Sequence, residues 1–215
     1  MEQKQIYAFL GLPASGKGTQ AQIFAEKYGF DNIGIGDLVR EEMATNKGND
    51  EFILAIRERY SQGAPVSDDI IFKLLEKKLN SISSDGVVFD NFPFNKAQLE
   101  FLLKYAEQNN WQDPVVIYIK IDPEYAVKRI STRKICPKCK SVFTGGTTCE
   151  KCGAELVSRS DDNEETVRKR IQSYLPNIEE VVSTIKNHNG EVIEIDGEPP
   201  IETVTREIDQ LCKIS

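Results

Sequence analysis

The chain has 215 residues, 34 acidic and 27 basic, for a net charge of −7. Hydrophobic residues are 40% and charged residues 28%, the balance of a folded protein with one sizeable core, which excludes a long disordered chain. The acidic excess argues against a general binder of nucleic-acid polymers, and no run approaches the roughly 18 apolar residues of a membrane span.

The first apolar run, Ile6-Tyr7-Ala8-Phe9-Leu10, ends at Gly11 and predicts a buried strand. Ile6 to Ala14 has the length of a signal-peptide core behind Lys4. It runs directly into a glycine-lysine loop, however, so retention and a reducing, cytoplasmic compartment are expected. From Gly16 to Tyr28 the spacing of Ala21, Phe24 and Ala25 predicts a helix. Further strands are expected at Val87-Val88-Phe89, ending at Asp90; at Val115 to Ile121; and at Glu191 to Ile195. Helical stretches lie at Ile70 to Leu79, Lys96 to Gln108, Pro123 to Ser131 and Glu164 to Lys186. The last contains Pro176, which is expected to kink or divide it. Strands alternating with helices imply an α/β domain, its parallel sheet covered by helices on both faces.

Two segments break the alternation. Residues 34–66 are mostly helical and polar; residues 134–159 are rich in cysteine and glycine. Both read as insertions into one core made of 1–33, 67–133 and 160–215.

Gly11-Leu12-Pro13-Ala14-Ser15-Gly16-Lys17 matches G-x-x-x-x-G-K between a predicted strand and a predicted helix. Glycines let backbone N–H groups turn inward around phosphate oxygens. The helix N-terminus adds positive potential, and Lys17 supplies a cation for the β- and γ-phosphates. Gly18 stands where a serine or threonine is usual, and Thr19 follows.

Cys136-x2-Cys139-x9-Cys149-x2-Cys152 is a pair of C-x-x-C knuckles. Two knuckles supply four thiolates to one tetrahedral zinc, a closed and therefore structural site. Iron, or a redox-active pair of disulfides, would also use such thiols. The fifth cysteine, Cys212, falls in an apolar helical pattern with Ile208 and Leu211 and reads as core. His188, the only histidine, reads as a helix-exit residue. Five of the nine arginines lie between 129 and 170, a concentration suited to phosphate.

Gly16-Lys17-Gly18-Thr19, Gly36-Asp37-Leu38-Val39-Arg40, Asp90-Asn91-Phe92-Pro93 and the run Asp161 to Arg170 occur in the order of one family. Together they resemble the adenylate kinases and the wider nucleoside monophosphate kinases, over nearly the whole chain. That resemblance implies a P-loop NTPase fold with a helical acceptor-binding insertion at 34–66. It also implies a small zinc-ribbon-like lid at 134–159, trimmed relative to the family's usual lid. The implied reaction is ATP + AMP ⇌ 2 ADP in a monomer. By the same resemblance, Ala14, Ser15, Gly16, Lys17, Gly18 and Thr19 hold ATP, with Arg129, Arg133, Val142, Phe143 and Pro199. Lys17, Arg129, Arg133, Arg159 and Arg170 are the catalytic cations. Ile35, Arg40, Ala64, Pro65, Val66, Asn91, Phe94 and Gln98 line the AMP side, with Arg159 and Arg170. Asp90, then Asp37, would hold Mg²⁺ through water.

Two departures fall on that acceptor side. Phe94 replaces an arginine of the family's G-F-P-R, and Ile35 replaces a threonine. They leave a second reading open, a kinase for CMP, UMP or GMP. A non-catalytic nucleotide-binding zinc protein is a third.

Overall fold

The computed structural model describes residues 3–48, 51–61, 66–139, 141–158, 164–188 and 190–212. Five strands, β1 (Gln5–Gly11), β2 (Asp31–Gly34), β3 (Gly86–Asp90), β4 (Val115–Lys120) and β7 (Val192–Asp196), form one sheet ordered β2-β3-β1-β4-β7. Every pairing in it is parallel. A parallel sheet needs cover on both faces, and the alternation of β1 provides it. Ile6, Ala8 and Leu10 face one layer, made of α4 (Asp68–Leu79), α5 (Lys96–Gln108), α6 (Pro123–Thr132) and α7 (Glu164–Asn187). Tyr7 and Phe9 face the other, made of α1 (Lys17–Tyr28) and α8 (Ile201–Leu211). Phe24 of α1 anchors that second layer against the rings of Tyr7, Phe9, Tyr28 and Phe30.

The order places β1 at the centre, with β3 and β4 on either side. Crossovers leave β1 and β3 toward opposite layers, so a crevice opens beyond their C-terminal ends. Gly11 and Asp90 close those two ends.

The described residues of 34–66 carry two helices, α2 (Ile35–Thr45) and α3 (Glu51–Ser61). They have a small core of their own, Val39, Ile53 and Ile56, completed by Ile70 and Leu74 of α4. The cysteine-rich segment carries an antiparallel hairpin, β5 (Arg133–Ile135) with β6 (Val142–Thr144), tied back by a bridge from Ile135 to Val157. Leu156 and Phe143 pack on its cysteines.

Pro176 does not divide α7, which runs 24 residues as one helix. The missing proline N–H costs one bond. Burial of Val167, Ile171, Ile178, Val181, Val182 and Ile185 holds the helix together on either side of it. His188 follows α7, its Nδ1 2.8 Å from the Thr184 carbonyl oxygen. No described helix is long and apolar enough to cross a membrane.

Candidate active site

The loop from Gly11 to Lys17 wraps the mouth of the crevice. Ala14 and Gly16 take left-handed backbone conformations, φ 63° and 93°, turning successive N–H groups inward. A β-carbon on Gly11 would lie 2.5 Å from the Ile119 carbonyl oxygen, so only glycine lets β1 and β4 approach here. Ser15 is buried, and its N–H donates to the Leu12 carbonyl at 3.1 Å. Lys17 begins α1, and its ammonium lies over the loop, donating to the same Leu12 carbonyl at 3.3 Å. Thr19 is half-buried in the first turn of the helix.

Gly18 meets the end of β3. A β-carbon there would stand 2.8 Å from Asp90 Oδ2. The Asp90 carboxylate therefore fills the space in which most such loops place a hydroxyl side chain. Asp37, by contrast, is exposed on the first turn of α2 and accepts a 2.6 Å bond from Arg40.

Two further segments touch the loop. Asp122 caps α6 by accepting from the Glu124 and Tyr125 N–H groups, with Pro123 in the first turn. Such a cap is worth about 1 kcal/mol, and it aims the helix that carries Arg129. That guanidinium lies 4.7 Å from the Tyr125 ring centroid. It donates to the carbonyls of Ala14 (3.3 Å), Gly197 (2.9 Å) and Glu198 (3.3 Å). Gly197 rests on the loop from the other side; a β-carbon there would be 2.9 Å from the Ser15 carbonyl oxygen. Pro199 follows, half-buried. Arg133 stands where α6 passes into the hairpin, opposite Thr144.

The hairpin separates two expected neighbours. Val142 is exposed, whereas Phe143 on the alternate face packs against the cysteine cluster. The four Sγ atoms lie within 4.8 Å of one another, with Cys136–Cys152 at 3.4 Å and Cys139–Cys149 at 3.5 Å. Zn–S bonds of about 2.3 Å in a tetrahedron imply S–S separations of about 3.8 Å, so the donor set fits such an ion. The Cys139 N–H points to Cys136 Sγ at 3.4 Å and, as the leading cause, holds that thiol below its usual range. The Ser141 hydroxyl and main chain hold the Cys139 thiol down at about 6. These two directions favour thiolates, the form that binds metal, whereas at Cys152 the lowering by the Ala154 main chain is outweighed by the neighbouring thiols and burial, which push it up to about 11. Cys212 is the opposite case: burial pushes its thiol up to about 12.

On the acceptor side, Ile35 and Val66 are partly buried between the sheet's apolar layer and the core of the insertion. Asn91 turns the chain after β3 with φ 61°, and its buried Oδ1 finds no hydrogen-bond partner among the described residues. Phe94 meets the Tyr174 ring edge-on at 4.6 Å, and the Arg170 guanidinium lies 5.8 Å over the same ring. An aromatic contact thus joins Phe94 to the helix of Arg170. Gln98 is only 5% exposed; its amide bonds Asp68 and the Phe94 N–H. Ala64, Pro65 and Arg159 lie outside the described residues.

Sequence reasoning missed three residues that contact the expected site residues: Tyr125 beside Arg129, Tyr174 beside Phe94 and Arg170, and Asp68 on Gln98. Two left a local signal. Tyr174 stands four residues after Arg170, on the same helical face. Tyr125 stands four before Arg129. Asp68 left none, because its partner lies 30 residues away.

The family model described as adenylate kinase matches residues 9–190. The adenylate kinase of Archaeoglobus fulgidus is 35% identical over 213 residues, 95% of this chain and 96% of its own. That of Kosmotoga olearia is 34% identical over 207 residues, covering 93% and 94%. That of Petrotoga mobilis is 33% identical over 207 residues, with the same two shares. A P-loop at the crevice of a parallel sheet, two insertions beside it and similarity across the whole length agree: the chain belongs to the adenylate kinase family of phosphotransferases.

Proposed function

We propose that this protein transfers the γ-phosphoryl group of ATP to AMP, giving two molecules of ADP. The observation that carries the reading is the Gly11–Lys17 loop, with the Asp90 carboxylate set against Gly18 at its rim. It supplies backbone donors, one cation and one anion where a magnesium-bound triphosphate must sit. Magnesium bound with ATP would neutralise charge on the transferring group. Asp90 fits the task of holding its water shell, and Asp37, engaged by Arg40, is second.

Phosphoryl transfer asks for alignment, charge neutralisation and exclusion of water. Arg129 shapes the loop and the 197–199 turn, which brings Pro199 beside the donor site; Arg133, Arg159 and Arg170 are assigned to the phosphates. Residues 134–159 close over ATP, with exposed Val142 the more available of Val142 and Phe143. Residues 34–66 close over AMP, with Arg40 for its phosphate and Ile35, Ala64, Pro65, Val66, Asn91, Phe94 and Gln98 around the nucleoside. A coupled assay with ATP and AMP, CMP, UMP or GMP tests the reading. AMP is expected to turn over fastest. No turnover with any acceptor refutes the proposal, and a faster pyrimidine monophosphate reassigns the acceptor.

We infer zinc at the four cysteines, where it would fold the lid without entering the reaction. Purified protein is expected to carry about one zinc per chain. A strong chelator should then lower Tm and expose the four lid thiols to a thiol reagent. Cys212, only 5% exposed, should react after denaturation alone. Metal-free protein at full stability contradicts the assignment.

A further inference from the structure

Asp68 opens α4 and lies against the start of α5. One of its carboxylate oxygens, Oδ1, accepts from Gln98 Nε2 at 2.7 Å; the other, Oδ2, accepts from Asn95 Nδ2 at 3.1 Å. Asn95 caps α5, its own Oδ1 accepting from the Gln98 N–H at 2.8 Å. On the far side of the amide, Gln98 Oε1 accepts from the Phe94 N–H at 2.7 Å. The side chain is therefore held between a group that only donates and a group that, ionised, only accepts.

This arrangement removes the ambiguity of a glutamine amide. A free amide presents either end by rotating half a turn. Here rotation would set Nε2 against the Phe94 N–H and Oε1 against the Asp68 carboxylate. Two good bonds would become two repulsive contacts inside a buried site, where the cost is highest. Among the described residues the amide has one further N–H and one further lone pair to offer, and their order is locked.

Purine bases differ in that order. Adenine presents an acceptor at N1 beside a donor at N6. Hypoxanthine and guanine present a donor at N1 beside an acceptor at O6. A locked amide can match one edge and must oppose the other. We propose that Asp68 is a positioning residue for acceptor specificity: it fixes the Gln98 amide so that a 6-amino purine is accepted and a 6-oxo purine is rejected. The inference rests on Gln98 reading the acceptor base, as in the function proposed above.

The test compares AMP with IMP, which differ only along that edge. It uses the full-length protein carrying its metal, and the AMP:IMP ratio of kcat/KM is measured within each preparation. That ratio does not depend on the fraction folded. Asp68→Ala is expected to cut the preference for AMP about tenfold, the scale of one hydrogen bond. The loss should fall on KM for AMP and leave KM for ATP in place. Asp68→Asn, which keeps one acceptor where the carboxylate has two, should recover part of the preference, which a merely structural loss would not do. An unchanged ratio in Asp68→Ala overturns the proposal. Gln98→Ala tells the two possible failures apart. If it also leaves the ratio unchanged, Gln98 does not read the base and the parent assignment fails. If it alone abolishes the preference, Gln98 reads the base but Asp68 does not orient it.

Discussion

Replacing Lys17 with alanine is expected to lower turnover by about 10³-fold or more while the protein stays folded. The side chain opens α1 and reaches back to the Leu12 carbonyl, 3.3 Å away, across the loop proposed to hold the ATP phosphates. That bond is long, and alanine suits a helix better than lysine does, so the fold is expected to stand without it. The charge matters elsewhere. In the proposed donor site it would face phosphate oxygens whose negative charge redistributes as the group leaves. A cation fixed in advance by the loop needs no reorganisation at that moment, and many enzymes owe most of their rate enhancement to stabilisation of this kind. Steady-state assay of Lys17→Ala beside its thermal melt checks the claim. A rate near wild type at unchanged Tm takes Lys17 out of the donor site.

The loop was legible in the sequence because its chemistry is local. Seven contiguous residues contain the turn, the helix start and the cation. β1, β3 and β4 were legible for a similar reason, since burial on both faces makes a continuous apolar run; β7, at the sheet edge, showed instead as an alternation, with Ile193 and Ile195 buried and Glu194 exposed. Asp31–Gly34 was not legible. Only Ile33 in β2 is buried, and an edge strand with one buried residue takes its form from its partner β3 rather than from its own pattern. The three-residue strands of the hairpin were hidden too. Their register depends on cysteines that the chain brings together across 17 positions, from Cys136 to Cys152.

The acceptor side was the least legible, for a physical reason. Its substitutions could be named as losses, an arginine gone at Phe94 and a threonine gone at Ile35, but not what replaced them. In the structure Phe94 finds Tyr174 from a helix 80 residues away, and Ile35 joins two apolar clusters. Both gains are tertiary contacts. Pro176 errs in the other direction. Its local effect on a helix is real, but the apolar face of α7 continues past it and wins.

Gly18 separates two effects that usually move together. Adding a β-carbon at 18 should help the helix by up to about 1 kcal/mol, because glycine is a poor helix former. The same carbon would stand 2.8 Å from Asp90 Oδ2 and 3.4 Å from its carboxyl carbon, inside contact distance. Something must yield. The backbone of β3 is held between β2 and β1, so it cannot retreat. The part that can yield is the short Asp90 side chain. Gly18→Ala is therefore expected to melt at or above the wild-type Tm while its activity falls by about 10²-fold, the penalty for a catalytic group displaced by about 1 Å. Gly18→Val should fall further, and both variants should need more magnesium for half-maximal rate. Those opposite signs, stability kept and rate lost, are what a carboxylate poised for function predicts and what a packing role does not. Wild-type activity and magnesium dependence in Gly18→Ala would show that the position of Asp90 is immaterial to the reaction.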